Sequence, residues 1–154
     1  MPTREEILNG LNFTASNHSY SAIVWHIVIY ALLAALFAGW KPTNRFMIFF
    51  TGALLLSVSM FAILGKNIFS ASVFILLAAS CFYFASNTNE EKITGNRSWP
   101  DIAGLLLIFF GLVYPEFFNA ASVIEYAYAS PVGLIPCPSL CVVIGFALLY
   151  KNFL

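Results

Sequence analysis

The last long apolar segment of this chain opens with Gly133-Leu134-Ile135-Pro136-Cys137-Pro138-Ser139-Leu140-Cys141. Two prolines flank a cysteine in this stretch, and proline interrupts regular backbone hydrogen bonding. If the segment lies in a membrane, its irregular backbone must be sheltered by protein. This stretch is therefore the first place to look for a pocket or a docking surface.

The composition indicates that the solvent of this chain is lipid. Of its 154 residues, 60% are apolar and 9% are charged, whereas soluble domains carry about 25% charged residues. The length fits one integral membrane domain, residues 1–154, with no room for a separate soluble catalytic module. The net charge is zero, and no basic cluster is dense enough to indicate a nucleic-acid partner or a lipid-binding polybasic patch. The bilayer is the expected partner.

Hydropathy predicts five membrane spans, each close to the ~20 residues that cross the hydrocarbon core. They cover approximately residues 21–40, 46–64, 68–86, 102–118 and 136–153. The predicted fold is an all-α, polytopic membrane helix bundle. Ahead of the first span, Thr3-Arg4-Glu5-Glu6 has the pattern of a capping box, which predicts a short helix on the membrane surface. The alternative is a disordered polar tail.

The basic residues predict the orientation. With five spans, Arg4 and Lys66 fall on one side of the membrane, and the other side holds Lys41, Arg45, Lys92, Arg97 and Lys151. Because short cytoplasmic loops are enriched in Lys and Arg, the N-terminus is predicted outside and the C-terminus inside.

The last segment is short for a complete crossing. If Pro138 takes the first helical position, the helix from there to Phe153 is about 24 Å long, less than the ~30 Å of hydrocarbon. Residues 131–137 then complete the crossing in a non-helical form, packed against other helices, or the helix sits toward the inner side. Either way Cys137 is predicted at the N-cap.

A cysteine at a helix N-terminus is a candidate for reactivity or metal binding, because the helix dipole favours the thiolate. Cys141 lies on the same helical face, and His26 is predicted at the same level of the membrane. These are weak metal candidates, since a closed zinc or copper site needs three or four ligands. The alternative is that the prolines shape the helix entry and the thiol only packs there.

Other polar residues are predicted at the outer face. An ionisable residue inside a span is costly unless it faces a cavity or a partner. His26 lies just over one turn into the first span, although it could simply bond to a neighbouring helix, and Glu116 could be an interfacial carboxylate in water. The candidate pocket consists of Cys137, Pro136, Pro138, Ser139, Glu116, Tyr114 and His26.

The order of these features resembles the DUF6064 family of small bacterial integral membrane proteins, whose function is unknown. The matching positions are Thr3-Arg4-Glu5-Glu6, Trp25, Tyr114-Pro115, Pro131, Pro136-Cys137-Pro138-Ser139 and Gly145. The resemblance covers nearly the whole chain and implies a location in the bacterial cytoplasmic membrane. The chain departs from the family pattern at His26, often Pro in the family, at Leu140, which replaces a Thr, and at Cys141, usually apolar. Cys137 is thus the better candidate of the two cysteines.

The sequence supports three functional hypotheses. The first is a non-enzymatic membrane protein, a small transport or binding module or a subunit of a larger complex, working as a homo-oligomer or with other membrane subunits. The second is an outer-face thiol or metal-binding protein built on Cys137. The third, a membrane-embedded enzyme acting on a lipid or quinone, has no supporting catalytic motif. No catalytic residue and no cofactor is assigned.

Overall fold

The computed structural model describes residues 4–95, 99–115 and 123–151. Within these ranges the chain forms seven helices: α1 (Arg4–Asn17), α2 (Ser19–Phe37), α3 (Asn44–Leu64), α4 (Ile68–Asn87), α5 (Trp99–Leu112), α6 (Val123–Ala129) and α7 (Pro136–Leu149). Two strands of two residues each, β1 (Thr94–Gly95) and β2 (Tyr150–Lys151), pair antiparallel. The predicted all-α helical bundle is confirmed.

Three helices, α2, α3 and α4, are long and apolar enough to cross a membrane, as the first three predicted spans require. Helices α5 and α7 are also apolar but have 14 residues each, a length of about 21 Å. Both are shorter than the fourth and fifth predicted spans. The chain therefore has the character of an integral membrane protein, with two of its five apolar helices unusually short.

The early end of α5 has a physical cause. Pro115 disfavours helical geometry at Tyr114, the residue before it, and residues 113–115 are not helical. The last carbonyl groups of α5 bond instead to side chains from other parts of the bundle, described below. Residues 116–118 of the predicted span lie outside the described part of the chain. The other short helix, α7, ends at Leu149, and the chain continues directly into β2.

Four of the described helices pack as two antiparallel pairs, α3 with α4 and α5 with α7. A tight turn at residues 65–67, with Lys66 in the left-handed region at φ 58°, joins α3 to α4. In the other pair, α5 and α7 touch by their backbones: a Cβ atom on Gly104 would lie 2.7 Å from the carbonyl oxygen of Gly145, and one on Gly111 would lie 2.6 Å from that of Pro138. Such close approach is typical of small residues in membrane helices.

The bundle has two distinct ends. At the Gly65 end, α1 packs on the α3–α4 turn with Thr14 and Ala15 buried, so the predicted N-terminal helix is confirmed as a helix. Thr3, the predicted cap, lies outside the described residues. At the Lys92 end, residues 91–95 pair with residues 42–44 on one side and with β2 on the other. The main apolar core lies between these ends, around Leu54 and Phe146.

Candidate functional site

The most unusual feature of the bundle is a buried non-helical segment, residues 130–135, between α6 and α7. Ser130, Val132, Leu134 and Ile135 are at most 1% exposed. The segment turns on itself, because the amides of Leu134 and Ile135 both donate to the carbonyl oxygen of Pro131. Sheltered irregular backbone of this kind is what the proline-rich sequence and the short last helix predict.

Gly133 fixes how this segment meets α2 and α3. Its φ of 79° is in the left-handed region, and a Cβ atom here would overlap the indole ring of Trp25. The carbonyl oxygen of Gly133 accepts a 2.7 Å hydrogen bond from the Ser57 hydroxyl. Ser57 in turn accepts a 2.9 Å bond from the indole N–H of Trp25. Side chains from α2 and α3 thus hold the carbonyl group of Gly133, Ser57 directly and Trp25 through Ser57.

Ser139 holds the same glycine from the side of α7. Its hydroxyl oxygen accepts a 2.9 Å bond from the Gly133 amide, and its hydrogen is donated to the carbonyl oxygen of Ile135 at 2.7 Å. Ser139 is fully buried. A carbon side chain here would leave the Gly133 N–H without this partner, so the hydroxyl is a structural requirement of the turn.

Among the described residues of this region, His26 is the one ionisable side chain that is buried, with 1% of its surface exposed. Its Nδ1 lies 2.9 Å from the carbonyl oxygen of Ala22, and its Nε2 lies 3.0 Å from that of Leu112. The Ser130 hydroxyl is 3.4 Å from Nε2 and 2.8 Å from the same Leu112 oxygen. His26 therefore links α2, the end of α5 and the buried segment.

A neutral imidazole carries its proton on one of two ring nitrogens, and the two tautomers of His26 bond differently here. With the proton on Nε2, the ring donates to the Leu112 carbonyl oxygen, to which Ser130 also donates. With a proton on Nδ1 alone, Nε2 is an acceptor and faces a carbonyl lone pair. The Ser130 hydroxyl can then turn its hydrogen toward Nε2. The tautomer of His26 thus determines whether Nε2 bonds to the Leu112 carbonyl oxygen or to the Ser130 hydroxyl.

Cys137 lies in a different environment. The helix begins two residues earlier than predicted: Ile135 is the N-cap, Pro136 and Pro138 both lie in the first turn, and Cys137 is helical rather than the cap. First-turn amides lack intrahelical partners, so both prolines fit there. Cys137 is exposed, unlike buried His26.

The remaining predicted site residues are only partly brought together. Tyr114 packs its ring edge-on against Phe110, with ring centroids 5.5 Å apart. Cys141 is partly buried. Glu116 lies outside the described residues. Across the described ranges no three His, Cys, Asp or Glu side chains are grouped to hold a metal ion, and both ring nitrogens of His26 face carbonyl oxygens.

Sequence reasoning did not identify Ser57 or Ser130 as site residues. A serine within an apolar helix, as at Ser57, and a serine directly before a proline, as at Ser130, are weak signals that many packing serines share. Comparison of the chain with protein-family models, curated proteins and solved structures gives no match. The site must be interpreted from its own geometry.

Proposed function

We propose that this chain is a non-enzymatic polytopic membrane protein that acts as a small binding or transport module, as a homo-oligomer or as a subunit of a larger membrane complex. The observation that carries the proposal is the buried segment and its contact with His26. Membrane transporters place ligand sites where helices are interrupted and the irregular backbone is sheltered. An ionisable residue within a span is a functional candidate by default.

The closed form of the site implies that ligand binding requires movement. The neighbouring cavity, lined in part by Gly10, Gly65 and Leu134, has a volume of about 20 Å³, which is room for a single water molecule. A larger ligand enters when residues 130–135 move. The side-chain contacts from Ser57, Ser139 and His26 are the ones that such a movement breaks or rearranges.

An assembly is part of the proposal because one copy offers little room for a pathway. Large apolar side chains cover the outer surface of α4, including Phe69, Leu76 and Tyr83, which are each at least two-thirds exposed. Such surfaces face lipid or another membrane helix. Several copies, or a partner subunit, would enclose a pathway between them.

Membership of the DUF6064 family, a location in the bacterial cytoplasmic membrane and an outward N-terminus are further parts of the proposal. They are supported by the order of motifs around Pro136-Cys137-Pro138-Ser139 and by the distribution of basic residues. A metal site on Cys137 would need ligands from another copy or from residues outside the described ranges.

The mass of the protein purified in mild detergent, together with the identity of any co-purifying protein, tests the proposal. We expect a defined multiple of the monomer mass or a fixed partner. A strict monomer with no partner would contradict the assembly. Replacement of His26 by Gln, whose amide cannot bridge the Ala22 and Leu112 carbonyl oxygens as the ring does, should leave the assembly state unchanged.

A further inference from the structure

Two grooves lie side by side on the outer surface of α3, and one of them is lined in part by Trp25, which also bonds to Ser57 in the site described above. One, of about 490 Å³, runs between α3 and α4 and is lined by Arg45, Phe49 and Phe82 among others. The second, of about 310 Å³, runs between α2 and α3 and has an entirely apolar lining that includes Val28. Both volumes fall in the range of small-molecule sites, roughly 300–1,000 Å³.

The two grooves share one wall, formed by the side chains of Phe46 and Phe49. Phe49 packs against Phe82 with ring centroids 5.2 Å apart, and Phe46 packs edge-on against Trp40 at 5.3 Å. Phe46 and Phe49 are 43% and 58% exposed. A ligand with two apolar chains can therefore straddle this wall, with one chain in each groove.

The mouth of the larger groove is polar and carries a cation. Arg45 lies in the first turn of α3, and beside it the Thr43 hydroxyl oxygen caps the helix by accepting from the Phe46 amide. Lys41 and Lys92 lie on the adjoining segments, since Thr43 pairs with Lys92, and Glu91 lies there too, because its carbonyl oxygen accepts from the Asn44 amide. A guanidinium group at a helix N-terminus favours an anionic oxygen ligand such as a phosphate.

Glu90 is the present partner of Arg45. Its Oε1 lies 3.4 Å from Nη1 of Arg45, and both side chains are more than half exposed. An exposed ion pair of this length contributes little free energy. A phosphate oxygen can therefore replace Glu90 on Arg45, and Glu90 acts as a competitor for the same cation.

We propose that these grooves bind one anionic glycerophospholipid. Its phosphate contacts Arg45 at the mouth, one acyl chain lies beside Phe82 between α3 and α4, and the other lies across the Phe46–Phe49 wall between α2 and α3. The charged mouth above two apolar grooves matches a diacyl lipid with a negative headgroup. The lipid proposal does not rest on the function proposed for residues 130–135, although Trp25 contributes to both sites.

Native mass spectrometry of the detergent-purified full chain tests this proposal with two lipids of identical acyl chains, dioleoyl phosphatidylglycerol and dioleoyl phosphatidylcholine. We expect the wild type to bind the phosphatidylglycerol about fivefold more tightly than the phosphatidylcholine, which is the contribution of one basic residue near an anionic lipid surface. Arg45→Gln should remove the preference, whereas Glu90→Gln should increase it. Equal affinity for the two lipids in the wild type, or an unchanged preference in Arg45→Gln, overturns the proposal.

The apolar half of the site has its own test. Ser86 is exposed and lines the larger groove, so Ser86→Trp should fill it and weaken binding of both lipids. Ser72→Trp, on nearly the same face of α4 but toward its other end, should have no effect. Glycerol phosphate alone should not compete. Competition by glycerol phosphate, or equal effects of the two tryptophan variants, overturns binding of the acyl chains in the groove. A dimer that Ser86→Trp dissociates identifies a second copy as the occupant and also overturns the proposal.

Discussion

The Nε2 atom of His26 lies 3.0 Å from the carbonyl oxygen of Leu112, a contact between residues 86 positions apart in the chain. Leu112 is the last residue of α5, whose final carbonyl groups have no intrahelical partners. A side chain from the first long helix therefore completes the hydrogen bonding of a helix in the second half of the protein. This contact, with Ser130 beside it, is the junction on which the proposed function depends.

Loss of the Ser130 hydroxyl should weaken this junction. Ser130→Ala removes the bond to Leu112 and should lower the free energy of unfolding by about 1 kcal/mol, the usual scale for a hydrogen bond inside a membrane bundle. Ser80→Ala is the control, because the exposed Ser80 hydroxyl bonds within its own helix. Thermal unfolding in detergent measures both. Equal effects of the two substitutions would contradict a special role for Ser130.

Two glycines with positive φ give a matched test of the buried segment. Gly133→Ala should lower the free energy of unfolding by about 2–4 kcal/mol, because it adds overlap with Trp25 to backbone strain. At Gly39, where φ is 92°, an added methyl group would meet nothing within 4 Å, so Gly39→Ala should show only the backbone cost, about 1 kcal/mol. Unfolding of both variants under one condition makes the comparison. A similar loss in both would show that the Trp25 contact is not restrictive.

The backbone contact between α5 and α7 leaves no room for an added methyl group, so adding one should destabilise the protein. Gly104→Ala would place a Cβ against the carbonyl oxygen of Gly145, and backbone cannot rotate away as a flexible side chain can. We expect a loss of about 1–3 kcal/mol in the free energy of unfolding. Ala79→Gly, on the exposed surface of α4, calibrates the cost of one methyl group in a helix without close packing, which is about 1 kcal/mol. A thermal midpoint unchanged in Gly104→Ala would contradict the close packing.

Tyr150 should show an alkaline titration that depends on Asp101. Burial, and secondarily the charge of Asp101, raises the pKa of Tyr150 above the usual value of about 10. The neutral phenol is favoured in the folded state, so its contribution to stability is constant below about pH 10 and is lost as the pH rises through the raised pKa. Tyrosinate absorbance in the wild type minus that in Tyr150→Phe isolates this group.

Asp101→Asn provides the control for that titration. It should lower the pKa of Tyr150 part of the way, because burial, the larger cause, remains. A titration of Tyr150 at or below the usual range in the wild type would show that its environment is open to water.

Accessibility of introduced cysteines should reveal the orientation. Ser16 lies at the Gly65 end and Asn89 at the Lys92 end, and both are exposed. In a chain whose natural cysteines are replaced by serine, Ser16→Cys should react with a membrane-impermeant maleimide in intact cells. Asn89→Cys should react only after lysis. The reverse pattern would contradict the outward N-terminus.

Some parts of this structure follow directly from local sequence. Long apolar runs determine α2, α3 and α4, since each spans about the length that hydrocarbon requires. The helix that can follow Pro138 is too short to cross the hydrocarbon core, which predicts sheltered non-helical backbone before it. Small residues such as Gly104 and Gly111 indicate close helix contacts without identifying the partner.

Other parts depend on contacts between distant residues. The start of α7 at Pro136 depends on Ser139 bonding back to Ile135 and Gly133. A prediction made from Pro138 alone therefore places the N-cap of α7 two residues too late, at Cys137. The partner of His26 is invisible in the sequence because it is a backbone carbonyl, and every residue has one. The same is true of Ser57, whose importance comes from the carbonyl group of Gly133.

The two ends of the bundle are connected by different kinds of bonds. At the Lys92 end, backbone hydrogen bonds join residues 91–95 both to the α2–α3 turn and to β2 after α7. At the Gly65 end, the described links between the first and second halves run through side chains, as from Ser57 to Gly133. Side chains change rotamer far more readily than paired backbone separates. The Lys92 end is therefore the expected hinge, and the bundle should open at the end that holds the buried segment.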